Sequence, residues 1–81
     1  MRVLIVEDEP IIADDLRLCL EDGGFDVVDS VESFVKAKAL LTEQEVDLVL
    51  LDINIKGEMD GVVLAQYINQ HHRSVTSLVE R

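Results

Sequence analysis

The sequence predicts an α/β domain in which three parallel strands, in the spatial order 2-1-3, carry helices on both faces. Two short runs, at residues 3–6 and at residues 46–51 apart from Asp47, are apolar, which is typical of central strands in a parallel sheet covered on both sides. Segments with apolar residues at helical spacing alternate with the strands. The tail from residue 74 can add part of a fourth strand. With 81 residues, the chain has room for a single domain over residues 1–81.

The first helix follows the first apolar run. Pro10 is a favourable first helical residue, and the Gly23–Gly24 pair is positioned to end the helix. The only cysteine, Cys19, lies on this helix and is predicted to be a small core residue. The predicted apolar face has fourfold spacing and consists of Ile12, Leu16 and Leu20.

The second half of the predicted fold begins with a strand at residues 25–31, whose polar interruptions favour the edge of the sheet. Ser33 can cap the second helix, and Asp60 can cap a third helix over residues 61–70. The apolar face predicted for the second helix consists of Phe34, Ala37, Leu40 and Leu41.

Charge and cysteine content restrict the class of protein. Seventeen acidic residues against seven Lys and Arg give a net charge of −10, which argues against nucleic acid as a direct partner. One cysteine excludes an internal disulfide and fits a reducing compartment. Residues 3–6 are too short for a signal-peptide core or a membrane span. We therefore expect a cytoplasmic protein that does not contact a membrane.

Acidic residues follow two strands that the topology makes neighbours. Glu7, Asp8 and Glu9 follow the first strand, and Asp52 ends the third. Two carboxylates about 4 Å apart repel by roughly 4 kcal/mol at an effective dielectric constant near 20. Mg²⁺ would relieve this repulsion, because it prefers one or two carboxylates together with water and a phosphate oxygen. In the alternative interpretation, residues 7–9 only place negative charge at the start of the first helix.

Three motifs at matching positions closely resemble the receiver domains of two-component response regulators. They are residues 6–10 (VEDEP), 50–54 (LLDIN) and 59–61 (MDG), and the resemblance extends to about residue 70. It implies a flavodoxin-like topology. It also implies that Glu7, Asp8, Asp52 and the backbone carbonyl of Asn54 hold Mg²⁺. Asp52 is then the phosphoacceptor, and the donor is a phosphohistidine on a sensor histidine kinase or histidine phosphotransfer protein.

The chain departs from the receiver pattern near its end. Receivers have a Thr or Ser after the fourth strand and a Lys after the fifth, whereas Val79 occupies the hydroxyl position and no lysine follows Lys56. The alternative is therefore a shortened receiver-like module that acts only in protein binding or dimerisation. If the tail leaves the third strand uncovered, we expect self-association through this exposed sheet edge.

Neither interpretation makes the protein a classical enzyme. A hydrolase that passes through an aspartyl phosphate would need a second aspartate two residues after Asp52, and Asn54 occupies that position.

Overall fold

The computed structural model describes residues 1–52 and 61–80, and in these residues four strands alternate with three helices. The strands form one parallel sheet with the order β2-β1-β3-β4, which confirms the α/β fold and the order 2-1-3. The tail supplies a fourth strand of five residues. In chain order the elements are β1 (Arg2–Val6), α1 (Pro10–Asp22), β2 (Asp26–Val31), α2 (Phe34–Glu43), β3 (Leu48–Asp52), α3 (Gly61–His71) and β4 (Thr76–Glu80).

The largest apolar cluster lies between the sheet and helices α2 and α3. Side chains of a strand alternate between the two faces, so every second residue of β1 and β3 contributes to this cluster. The intervening side chains, Val3, Ile5 and Leu50, are also buried and face the other side, where α1 packs against β1 and β2. The cluster consists of Leu4, Val6, Val31, Ala37, Leu41, Val46, Val49, Leu51, Leu64 and Ile68.

Helix α1 begins and ends at the predicted residues. Pro10 is its first residue, Gly23 is its C-cap, and Gly24 has φ +90°, a conformation that glycine adopts at little cost. The N–H of Phe25 donates to the carbonyl of Leu20 at 3.0 Å, which ties Phe25 to the end of the helix. Strand β2 therefore begins at Asp26, one residue later than predicted. The prediction for Cys19 is wrong, because its side chain is exposed.

Helix α2 begins at the predicted cap. The hydroxyl of Ser33 accepts a hydrogen bond from the N–H of Lys36 at 3.3 Å. This bond satisfies one of the backbone donors that have no partner within the first turn of a helix. The cap predicted for α3, Asp60, lies outside the described residues.

Asp47 joins three strands at the amino-terminal edge of the sheet. Its N–H donates to the carbonyl of Arg2 at 2.8 Å, and its carbonyl accepts from the N–H of Thr76 at 2.9 Å. Its carboxylate also accepts from the N–H of Arg2 at 2.7 Å. Strand β4 therefore covers the outer edge of β3. The uncovered edge of the third strand, through which we expected self-association, is therefore absent, because that edge is paired with β4.

Within residues 1–52 and 61–80, no helix is both long enough and apolar enough to cross a membrane.

Candidate functional site

The acidic residues after β1 differ in burial. Glu7 is buried, with 6% of its surface exposed, whereas Asp8 is half-buried and Glu9 is exposed. The N–H of Glu7 donates to the carbonyl of Val31 at 2.9 Å, which extends the pairing of β1 with β2 by one residue. One carboxylate oxygen of Glu7 accepts from the N–H of Glu9 at 3.3 Å. The Glu7 carboxylate is therefore held at the carboxyl edge of the sheet.

The alternative interpretation of residues 7–9 fits this geometry less well. Glu9 is the N-cap of α1 but makes no capping hydrogen bond through its side chain, and no acidic residue lies in the first turn of the helix. A carboxylate can interact with a helix N-terminus while it remains exposed to solvent. Burying a charged group costs free energy unless other interactions compensate for the lost hydration. The burial of Glu7 thus favours a specific role at the sheet edge.

Asp52 ends β3 next to this pair. The parallel register pairs Val6 of β1 with Leu51 of β3, so Glu7 and Asp52 are the next residues on adjacent strands. On the other side, the register pairs Asp52 with Glu80 of β4. The predicted convergence of the two strand ends is therefore present in the backbone. The side chain of Asp52 and all of Asn54 lie outside the described residues, so their roles as metal ligands stay predictions.

A cavity of about 480 Å³ adjoins the acidic pair, between α1 and the segment that follows β2. Its charged lining residues include three that the sequence analysis did not connect with the site, namely Asp14, Arg17 and Glu32. Asp14 and Arg17 lie on α1 and Glu32 follows β2, so the packing of α1 against β2 brings them to the same cavity. The full lining is Glu7, Asp8, Pro10, Ala13, Asp14, Arg17, Ser30, Val31 and Glu32.

Two ion pairs surround this cavity. The guanidinium of Arg17 lies 3.9 Å from the carboxylate of Asp29, and both side chains are more than a third exposed, so solvent weakens their attraction. Glu32 forms an ion pair with Lys36, one helical turn further along the chain. The hydrogen bond from Lys36 lowers the pKa of the Glu32 carboxyl below its usual value. Both of these basic side chains are thus paired with carboxylates outside the Glu7–Asp8 pair.

The donor set at the sheet edge fits Mg²⁺ in its chemistry. Glu7 and Asp8 are hard oxygen ligands, and Mg²⁺ commonly binds one or two carboxylates and completes its coordination with water and phosphate oxygens. Among the side chains that the structure describes, no three His, Cys, Asp or Glu residues lie close enough to hold a metal ion. The Asp52 side chain is not among them, so the set of Glu7, Asp8 and Asp52 stays a prediction.

Comparisons with known proteins place the chain in a family. The response regulator receiver domain matches residues 3–79. The chain is 39% identical over 71 residues to the sensory transduction protein LytR of Staphylococcus haemolyticus, covering 86% of this chain and 27% of LytR. It also superimposes on the MaeR response regulator bound to beryllium trifluoride with a TM-score of 0.89 and 33% identity, covering 99% of this chain and 66% of that one. The chain belongs to the response regulator receiver domain family, which confirms the resemblance seen in the sequence.

The same comparisons correct the exclusion of nucleic acid. The chain is 33% identical over 73 residues to the DNA-binding dual master transcriptional regulator RpaA of a Synechocystis species, covering 90% of this chain and 30% of RpaA. It also superimposes on the response regulator RcsB in a DNA complex, with a TM-score of 0.90 and 28% identity, covering 98% of this chain and 41% of that one. The exclusion of nucleic acid by net charge was wrong, because the charge of a receiver domain does not decide whether a regulator that contains one binds DNA. The chain spans less than a third of its curated relatives LytR and RpaA.

Proposed function

We propose that the protein is a phosphoacceptor receiver domain in a two-component phosphorelay, in which Asp52 accepts a phosphoryl group from a phosphohistidine. The observation that carries this proposal is the register of β1 and β3, which brings Asp52 to the position beside Glu7. The half-buried Asp8 follows Glu7 directly. The family match supports the same assignment. The domain then works as a phosphorylated switch rather than as an enzyme with metabolic turnover.

In the proposed transfer, a carboxylate oxygen of Asp52 attacks phosphorus, so an O–P bond forms while the P–N bond to the donor histidine breaks. The electron pair of the broken bond stays on the ring nitrogen, which takes a proton from water. Glu7, Asp8, Asp52 and the Asn54 backbone carbonyl would hold Mg²⁺. When bound, this ion supplies positive charge that offsets the negative charge of the transferred oxygens. The resulting acyl phosphate adds a bulky dianion at the end of β3 and can bias a nearby loop between two arrangements.

The donor in this proposal is a sensor histidine kinase or a histidine phosphotransfer protein, and the setting is the cytoplasm. The similarity to a protein named as a DNA-binding transcriptional regulator supports a role in controlling such a regulator. In that arrangement, the receiver carries the phosphorylation state while DNA contact serves as the output. Control of transcription and contact with DNA are thus proposed for a whole regulator, of which a receiver is one part.

A second candidate function is a shortened module that binds or dimerises without phosphotransfer. The position of Val79 favours it, because the register pairs Val79 with Leu51 at the end of the sheet where the family places a hydroxyl. A valine cannot donate a hydrogen bond to a phosphoryl oxygen. This candidate predicts that Mg²⁺ and a phosphodonor leave the mass of the chain unchanged.

Incubation with Mg²⁺ and acetyl phosphate, followed by intact mass measurement, separates the two candidates. The phosphoacceptor proposal expects the native chain to gain the mass of one phosphoryl group. It expects no gain for Asp52→Asn and a normal gain for Asp15→Asn, which removes an exposed carboxylate on α1. Equal phosphorylation of native protein and Asp52→Asn would contradict the assignment of Asp52. No phosphorylation of any variant would favour the binding module.

A further inference from the structure

The contact between α2 and α3 carries a group of aromatic and cationic side chains that the proposed phosphotransfer does not use. Phe34 and Lys38 come from α2, and Tyr67 and His71 come from α3. We refer to these four residues as the cationic–aromatic patch. The ring centroids of Phe34 and Tyr67 are 5.7 Å apart in an edge-to-face arrangement, and those of Tyr67 and His71 are 4.6 Å apart. The sequence places each pair one helical turn apart, so the four side chains form one continuous surface.

The ammonium of Lys38 lies over both aromatic rings of the patch. Its nitrogen is 4.7 Å from the Tyr67 ring centroid and 5.3 Å from that of Phe34, within the range of cation–π attraction. The two rings also pack against the buried cluster beneath the sheet. This packing limits the freedom of the lysine side chain, so its charge is presented in a defined position.

The surroundings of Lys38 differ from those of Arg17 and Lys36. Arg17 and Lys36 each form an ion pair with a carboxylate. Within residues 1–52 and 61–80, Lys38 contacts aromatic rings and forms no ion pair with a carboxylate. Arg73, which follows α3, is exposed and likewise has no carboxylate partner in this part of the chain. In a chain with 17 acidic residues, Lys38 and Arg73 are therefore cationic side chains that have no carboxylate partner in the described part of the structure.

We propose that the cationic–aromatic patch is a docking surface for a short acidic segment of a partner protein. Charge complementarity is the basis. Carboxylates of the segment would pair with Lys38, which has no carboxylate partner among residues 1–52 and 61–80, and the aromatic rings would contact its apolar side chains. The patch spans only one helical turn of each helix. Duplex DNA gains affinity mainly by contacting many phosphates in a row, so a surface of this size suits a short peptide better.

The test uses a fluorescently labelled short peptide of alternating Glu and Leu, with binding measured by fluorescence anisotropy on the full chain. We expect Lys38→Gln to weaken binding at least fivefold. Lys36→Gln removes the same charge from the same helix but outside the patch, and should change binding less than twofold. A comparable loss in both variants would overturn the proposal, since it would show attraction to overall charge alone.

A second variant and an NMR measurement test the same proposal if Lys38→Gln is unstable. Arg73→Gln alters an exposed residue two positions after His71 and should weaken binding about twofold while leaving the unfolding temperature unchanged. Amide shifts of isotope-labelled native protein should change at Lys38, Tyr67 and His71 when the peptide is added. Shifts confined to other residues would contradict the proposed surface. Tighter binding of a duplex DNA probe than of the peptide would overturn the choice of partner.

Discussion

Replacing Leu64 with alanine tests how strongly α3 is anchored to the sheet. Leu64 is fully buried in the cluster between α3 and the strands, and its helix begins at the end of the segment that follows Asp52. Removing a buried leucine side chain loses its transfer free energy and leaves a cavity, so we expect a loss of about 3 kcal/mol. A domain of 81 residues has a free energy of unfolding of only about 4–12 kcal/mol. The unfolding temperature should therefore fall by roughly 12–24 °C.

Leu18→Ala is a matched control for this prediction. It makes the same chemical change on α1, where the leucine side chain is 64% exposed, and should cost less than about 1 kcal/mol. Urea unfolding followed by circular dichroism measures both variants. If Leu18→Ala destabilised the protein as much as Leu64→Ala, the packing of α3 described above would be wrong.

Three further predictions concern local interactions. Ser33→Ala should lower the free energy of unfolding by about 1 kcal/mol in urea, and Ser33→Thr should restore most of it, because only the hydroxyl caps α2. Lys36→Met should raise the pKa of Glu32 in an NMR titration. At pH values above the ordinary pKa of a carboxyl group, the native ion pair contributes to the stability of the fold. This contribution is lost as the pH falls through the lowered pKa of Glu32. A Glu32 pKa that does not change on substitution would contradict this reasoning. Asp8→Asn should stabilise the metal-free protein by about 1 kcal/mol, since it relieves repulsion among carboxylates; a loss of stability without metal would oppose that reasoning.

The sequence was sufficient to predict elements with strong local signals. Pro10 and Gly24 determine where α1 begins and ends, and the continuous apolar runs determine which strands are central. The burial of α1 was predicted less well. Its buried face is centred on Ala13, so Ile12 is 44% exposed and Cys19 points to solvent. A shift of one residue rotates a helix face by about 100°, and only packing against the sheet decides between such neighbouring faces.

The fourth strand and the site cavity depend on contacts between distant residues. Residues 74–81 lack a clean apolar run, but Thr76 bonds to Asp47 and the segment continues as an edge strand, where partial exposure is tolerated. Arg17 and Glu32 join the cavity through tertiary packing alone. The acidic pair could be predicted because its members adjoin in the sequence and directly follow β1, whereas the cavity beside it has no such local signal.

A magnesium titration monitored by amide shifts of the isotope-labelled protein tests the central claim most directly. We expect shifts at Glu7, Asp8 and Asp52 in the native protein, loss of these shifts in Asp8→Asn, and normal shifts in Asp14→Asn, which alters an exposed carboxylate of the same cavity. Unchanged magnesium binding in Asp8→Asn would show that the carboxylates at the ends of β1 and β3 do not share an ion.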